Sequence, residues 1–351
     1  MIYLVCFCIA LVMLLFIVAY EKAIDVNLIL LIAVVAVGNG GYYALYSSQN
    51  LEEAILANTM SYVIGIFAPT VLFLIICNIC HVFVPKIVSS ILYAVQIVIF
   101  LTVSTVGKSD IFYKTVEYST DGGGAYLIKT YGPMHSVFLV FLLLYTTAGI
   151  VVCMYSLSRK TVVSRTNVNI ILFMDMLVVG VYLVEKFIHL EFELIPIFLT
   201  FSIAVIMVPL IRISVYSVYN NKDIFEDEIN STGYIIFSRK LKYMGCNDYA
   251  KVLFPELDKW ELEKKIPGNG GRFNTFLRKP LMDYVKENTT KKTPVKTYGY
   301  KGQIYRYEIA KLMSSKKWSI GYLIKVHNVT EVIRENAKVP SEQTDEEKSQ
   351  I

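Results

Sequence analysis

Side chains able to do chemistry are sparse in this chain, and they collect at a few places. Cys77-Asn78-Ile79-Cys80-His81 has the C-x-x-C-H spacing that attaches a c-type haem, in which two thiols form thioethers and the adjacent His ligates the iron. Glu185, Lys186 and His189 stand within about one helical turn at the end of a long apolar run, and His135 opens another. Such a group can hold a small ligand or sense protons, because His titrates near neutrality. The plainer reading is a set of interfacial residues pairing with one another. Asp175 and Asn39 lie inside apolar runs, where polar groups are costly and often functional. For Asp175 the competing reading is a bond to a neighbouring helix. For "VGNGGYY" (37–43), which contains Asn39, it is close helix packing through small residues.

The elements that must position these residues are dictated by hydropathy. The chain has 351 residues, of which 55% are hydrophobic, and a net charge of +5. Its mean hydropathy is +0.50. The apolar residues concentrate before about Tyr219, after which Lys, Glu, Asp and Asn become frequent. A bilayer core needs roughly 20 apolar residues per helix. Seven runs qualify or nearly so, at about 2–20, 24–46, 55–79, 87–106, 134–157, 168–190 and 194–213. The first carries no basic residue at its start and is followed by no small-residue cleavage site, so it reads as a span and not a leader.

Loop charges set the expected orientation. Lys22, Lys86, Arg159, Lys160 and Arg165 follow spans one, three and five, whereas the loops after spans two and six carry only Glu52, Glu53, Glu191 and Glu193. Basic loops stay in the cytoplasm, which predicts an outer N-terminus and a cytoplasmic C-terminal third. This accounts for the basic balance with lipid as the partner; no patch of Lys or Arg with interleaved aromatics suits a nucleic acid. It also places "CNICH" on the cytoplasmic side, away from where haem is attached. The loop at about 107–133 alternates in "FYKTVEY", turns at "STDGGG" and alternates again in "AYLIKTY", which predicts an extracytoplasmic β-hairpin over the bundle.

Beyond a charged linker helix over 214–230, the pattern predicts strands at "YIIFS" and "KLKYMG" and a helix at "NDYAKVLF". Helical segments around 258–266 and 273–287 follow, then strands at about 293–300, 303–313 and 318–328. The alternation of "QIYRYEIAKL" suits a half-buried antiparallel strand. The fold class is thus a seven-helix transmembrane α bundle followed by a small α+β domain with a five-stranded antiparallel sheet.

Two stretches of the second part carry a resemblance. "INSTGYIIFSRKLKYMGCNDYAKVLFPEL" looks like the opening of a Per-Arnt-Sim (PAS) domain, with Asn247 and Ala250 matching its N-x-x-A helix. "GYLIKVHNVTEVIRE" (321–335) is similar to its ending, with Asn328 in place of the usual Asp ahead of Thr330 and Glu331. "YGPMHSVFLVFLLLY" and "EFELIPIFLTFSIAVIMVPLIRISVY", with Pro196 and Arg212, resemble the N-terminal 7TM sensor region of bacterial histidine kinases, also found ahead of diguanylate cyclases. "HLEFELIP" (189–196) is unlike a working phospho-acceptor site, because it falls at an outer boundary without ATP-binding boxes.

These readings divide the chain into a sensor domain (1–213), the linker (214–230), a cytoplasmic PAS-like domain (231–330) and a short exit helix with a polar tail (331–351). The expected function is a membrane signal receptor without catalytic output. His135, Glu185, Lys186 and His189 are its candidate sensing residues, Asp175 and Asn39 its intramembrane polar residues. The resemblance implies relay through Pro196, Arg212, Asn328, Thr330 and Glu331, a homodimer, and a separate cytoplasmic signalling partner. An unknown small molecule or membrane state is the expected signal. No metal is expected, and no cofactor: Cys246 precedes the helix where a flavin photosensor holds its reactive Cys, and His327 is on the last strand instead of the mid-domain position of a haem ligand. The alternative is a transporter or channel with a cytoplasmic regulatory domain, which requires polar residues aligned across several spans.

Overall fold

The computed structural model describes residues 1–19, 25–120, 124–158, 164–188, 193–216, 232–268, 271–287, 296–313 and 319–336. The chain divides into two compact units, Met1–Ser214 and Val215–Ile351. The first consists of helices α1 (Ile2–Val18), α2 (Val26–Tyr46), α3 (Leu51–Ile79), α4 (Lys86–Val103), α5 (Pro133–Leu157), α6 (Arg165–Ile188) and α7 (Ile195–Val215). Between α4 and α5 lie strands β1 (Tyr113–Thr120) and β2 (Ala125–Tyr131). Among the described residues, six helices are long and apolar enough to cross a membrane, namely α2 to α7. The first run is a helix too, but α1 has 17 residues, a rise of about 26 Å against a hydrocarbon core of about 30 Å.

Helix starts are written locally. Asp25 accepts from Asn27 N at 2.9 Å to begin α2. Asn50 accepts from Glu53 N at 2.9 Å, and Glu53 reaches back to Gln49 N at 2.9 Å, a reciprocal cap for α3. Leu28, Leu31, Ile32, Val35, Val71, Ile75 and Ile203 fill the interior. Leu15, Leu101, Leu143, Val151, Phe173 and Val208 face outward and are exposed. An apolar surface this extensive suits lipid and not water.

The tightest packing is between α2 and α3, and it rests on the "VGNGG" stretch. A Cβ on Gly38 would lie 2.5 Å from Ile64 Cγ1, and one on Gly41 would run into the Ser61 amide nitrogen and Met60 backbone. The glycines are the reason the two backbones touch.

The second unit carries β3 (Gly233–Ser238), β4 (Tyr243–Cys246), α8 (Asp248–Leu253), a 3₁₀ turn (Pro255–Lys259) and α9 (Gly271–Glu287). Strands β5 (Lys296–Tyr300), β6 (Gln303–Met313) and β7 (Ser319–Asn328) and helix α10 (Thr330–Asn336) complete it. The sheet is antiparallel in the order β4-β3-β7-β6-β5, so the first and last strands pair at its centre. Lys301 and Gly302 both have positive φ, 51° and 75°, and close the two-residue β5–β6 hairpin. Phe237, Tyr243, Phe254, Trp260, Phe273, Phe276, Tyr305 and Tyr307 pack on one face.

Two local expectations need correction. The segment 258–266 is helical only to Lys259; beyond it Tyr243 N donates to Lys264 O and Glu263 N to Tyr243 O, so backbone pairing along β4 replaces the helix. "KLKYMG" becomes a strand only at Tyr243, because Leu241 turns at φ 56° with its N–H on Ser238 O. The linker expected over 214–230 and the tail beyond Asn336 lie outside the described residues, apart from the last residues of α7 and Tyr216.

Candidate functional site at the hairpin end of the bundle

The hairpin is held onto the bundle by its own alternation. Leu127 packs with Leu45, Ala54 and Ala57, and the Tyr118 hydroxyl donates to Ser48 O at 2.8 Å. At its base Gly132 N donates to Phe112 O at 2.8 Å and Met134 N to Ile111 O at 3.0 Å, which ties the residues just before β1 to the junction of β2 and α5. A register irregularity between Tyr113 and Thr115 turns Tyr113 inward, where it is 2% exposed.

Around Tyr113 the helices contribute an aromatic cluster. The Tyr113 hydroxyl donates to the Tyr62 hydroxyl of α3 at 2.5 Å. Tyr131 stacks on His135 with centroids 3.9 Å apart, and Phe112 and Phe138 close the sides. Lys129 Nζ sits 5.7 Å above the Tyr113 ring, a cation–π arrangement. Burial pushes the Tyr113 hydroxyl above the usual phenol range. Burial likewise lowers the Lys129 ammonium from its ordinary value, with Glu193 acting against that.

A second set lies on α1, α2 and α7. Tyr3 and Tyr42 stack at 5.4 Å. The Tyr3 hydroxyl donates to Glu193 O at 3.1 Å and accepts from Glu193 N at 3.0 Å. Behind it Asn39 Nδ2 donates to Thr200 Oγ1 at 2.9 Å, and that hydroxyl donates to Pro196 O at 2.7 Å. Glu193 belongs to this second set through its backbone, which holds the Tyr3 hydroxyl.

Of the sensing residues named from sequence, His135 is in this cluster, 8% exposed. Glu185 has a structural task, accepting from Leu194 N and, at 2.9 Å, from Ile195 N, and so caps α7. The side chain of Lys186 and all of His189 lie outside the described residues. Asn39 and Pro196 form the polar track above. Asp175, 7% exposed, lies on α6 against Gly149 of α5. Arg212 is half-buried in the last turn of α7. Sequence reasoning passed over Tyr3, Tyr42, Tyr62, Tyr113, Lys129 and Glu193. The period-two placement of Leu127, Lys129 and Tyr131 on one face of β2 is the signal that could have drawn attention to part of the set.

Elsewhere, Cys77 and Cys80 are buried, whereas His81 is exposed with φ 52°. All six cysteines are free thiols, and no group of three His, Cys, Asp or Glu suited to a metal occurs among the described residues. In the second unit a cavity of about 280 Å³ is bounded by Tyr243, Lys259, Trp260, Glu261, Lys264 and Lys265.

The exit segment is held to the start of β6 by Val329 N, which donates to Ile304 O at 2.9 Å, and by the Thr330 hydroxyl. Asn328 Oδ1 accepts from Thr330 N at 3.0 Å and from Thr330 Oγ1 at 2.6 Å, and Thr330 Oγ1 accepts from Ile304 N at 2.8 Å. Glu331 is exposed in the first turn of α10. Replacing Thr330, itself 2% exposed, by Val strands the Ile304 N–H. The expected cost is about 1–3 kcal/mol, with faster hydrogen exchange over α10 and at the start of β6 and little change in α9. Uniform exchange across the unit would contradict this anchoring.

The helices and their apolar outer surface define a multi-pass membrane protein followed by an α+β unit. Residues 2–219, more than half of the chain, match the family described as the N-terminal 7TM region of histidine kinase, and the chain belongs to that family. No curated protein matches it.

Proposed function

We propose that this chain is a membrane signal receptor that senses at its hairpin end and relays to the α+β unit. In this reading α1 completes a set of seven spans, the hairpin end faces outward and the C-terminal unit is cytoplasmic, as the basic loops direct. The observation that carries it is the two sets of Tyr, His, Lys and Glu residues, gathered from α1, α2, α3, the hairpin, α5 and the start of α7. The β4-β3-β7-β6-β5 order, with the N- and C-terminal strands side by side, supports a PAS-like identity for the second unit. Thr330 then holds the element through which the change leaves. A signal preferring one bundle arrangement shifts its population, and α7 carries the shift onward. The chain itself supplies no catalysis, acts as a homodimer and hands the signal to a separate cytoplasmic partner.

The test is hydrogen exchange of the full chain in nanodiscs, wild type against Tyr131→Ala. A receptor shows altered exchange in β7 and α10 as well as around the hairpin. Unchanged exchange there, together with solute flux in proteoliposomes, would replace the receptor by the transporter alternative.

A further inference from the structure

The cavity of about 280 Å³ in the second unit is walled by lysines that no carboxylate neutralises. The interior between the sheet and α9 is filled by Phe237, Phe254, Phe273 and Phe276, each 4% exposed or less. The cavity lies instead at the margin of β4, where the segment 259–267 turns back along that strand. Backbone pairing builds its frame. Glu263 N donates to Tyr243 O at 2.7 Å, Tyr243 N donates to Lys264 O at 2.8 Å, and Lys265 bridges antiparallel to Lys242. Trp260 meets the Tyr243 ring edge-on at 5.3 Å and supplies an apolar wall. Beyond Ile266, Asn274 Nδ2 donates to Pro267 O at 3.1 Å and ties the segment to α9. A Cβ on the next residue, Gly268, would lie 3.5 Å from the Arg278 guanidinium.

Lys259, Lys264 and Lys265 are thus set around one space, with Arg278 beside its Pro267 edge. None of these four cations forms an ion pair among the described residues. Glu261 is the one carboxylate among the lining residues, so three positive charges against one negative leave an excess of two. Like charges gathered around a small space repel, and an anion placed between them removes that repulsion. A single carboxylate carries half of the charge required. A phosphate monoester carries about −1.5 to −2 near neutrality and presents three acceptor oxygens, one for each lysine. The volume is just below the roughly 300–1,000 Å³ of drug-sized ligand sites, so the organic part is small. We propose that this cavity binds a small phosphate monoester, its phosphate held by Lys259, Lys264 and Lys265 and its organic part against Trp260. The site gives the second unit an input of its own, beyond the relay from the hairpin end.

The experiment is a titration of the full chain in mixed micelles of detergent and phosphatidylcholine, read by tryptophan emission. A Trp318→Phe background leaves Trp260 as the reporter, since the chain has 2 tryptophans. The probes are inorganic phosphate, glycerol 3-phosphate, glucose 6-phosphate and AMP, with glycerol, glucose and adenosine as uncharged counterparts. At least one phosphate probe is expected to shift the emission saturably, and the counterparts to leave it unchanged. Replacing Lys264 and Lys265 together by Gln should weaken the apparent affinity about tenfold to a hundredfold. Both side chains are exposed, so the urea midpoint should stay that of wild type. Lys240→Gln, at an exposed lysine outside the lining, should leave the affinity unchanged. Repeating the titration with phosphatidic acid in the micelles separates two sources of the same chemistry. A lipid headgroup shifts the emission before any addition, and a free ester shifts it only on addition. No saturable shift in either lipid, an equal shift with an uncharged counterpart, or wild-type affinity in the double variant overturns the proposal.

Discussion

Replacing Gly41 by Leu will prevent α2 and α3 from closing, and the bundle will not assemble in its present form. The Cβ of any larger residue meets the Ser61 amide and Met60 backbone, neither of which can turn aside as a side-chain tip would. Overpacking a core usually costs about 1–3 kcal/mol. Here the obstacle is backbone, and the α2–α3 seam also fixes Asn39 and Asn58 behind the tyrosines, so the expected loss is about 3 kcal/mol or more. A melt in detergent, followed with a dye that reacts with the buried Cys77, Cys80 and Cys153 as they become exposed, should show a large fall in melting temperature or no cooperative transition. Gly180→Ala on α6 is the control, since nothing lies within 4 Å of its added Cβ. Equal behaviour of the two variants would remove the close-packing account of "VGNGG".

Asn247→Ala should unfold the second unit more readily than any surface change. The Asn247 Oδ1 accepts from Tyr234 N at 2.8 Å and Ala250 N at 3.2 Å, and Nδ2 donates to Thr232 O at 2.6 Å. One side chain thus caps α8 and ties it to the central strand β3. Its loss leaves buried backbone groups unpaired at about 1–3 kcal/mol apiece, so a total of about 3 kcal/mol or more is expected. Both tryptophans of the chain, Trp260 and Trp318, belong to this unit, so tryptophan fluorescence in urea reads it selectively. Asn247→Asp keeps the acceptor and should fall between the two. A midpoint for Asn247→Ala within error of wild type would contradict the reading.

These two residues also show how unevenly the molecule can be read in advance. The N-x-x-A pattern pointed to Asn247 as a helix start, and N-capping is a local act that sequence records well. Its second task, holding β3, depends on strand pairing that no local pattern states. Gly38 and Gly41 were legible as small residues in a span, with close packing set against a functional role for the stretch. Only the position of Ser61 on the facing helix decides for packing. Glu185 reads as a sensing carboxylate from its neighbours in sequence, and as the cap of α7 once Leu194 and Ile195 fold back over it.

The sequence by itself determined the membrane bundle, the hairpin, the composition break and the antiparallel α+β unit. Each follows from local rules: runs long enough for a bilayer, period-two alternation, capping residues and turn glycines. Only the tertiary structure decided which polar residues meet. Tyr3 and Glu193 are 190 positions apart, and Tyr62 and Tyr113 are 51 apart. Contacts at such separations come from how helices pack and where a bulge turns a strand, and neither is written in the spacing of any one segment.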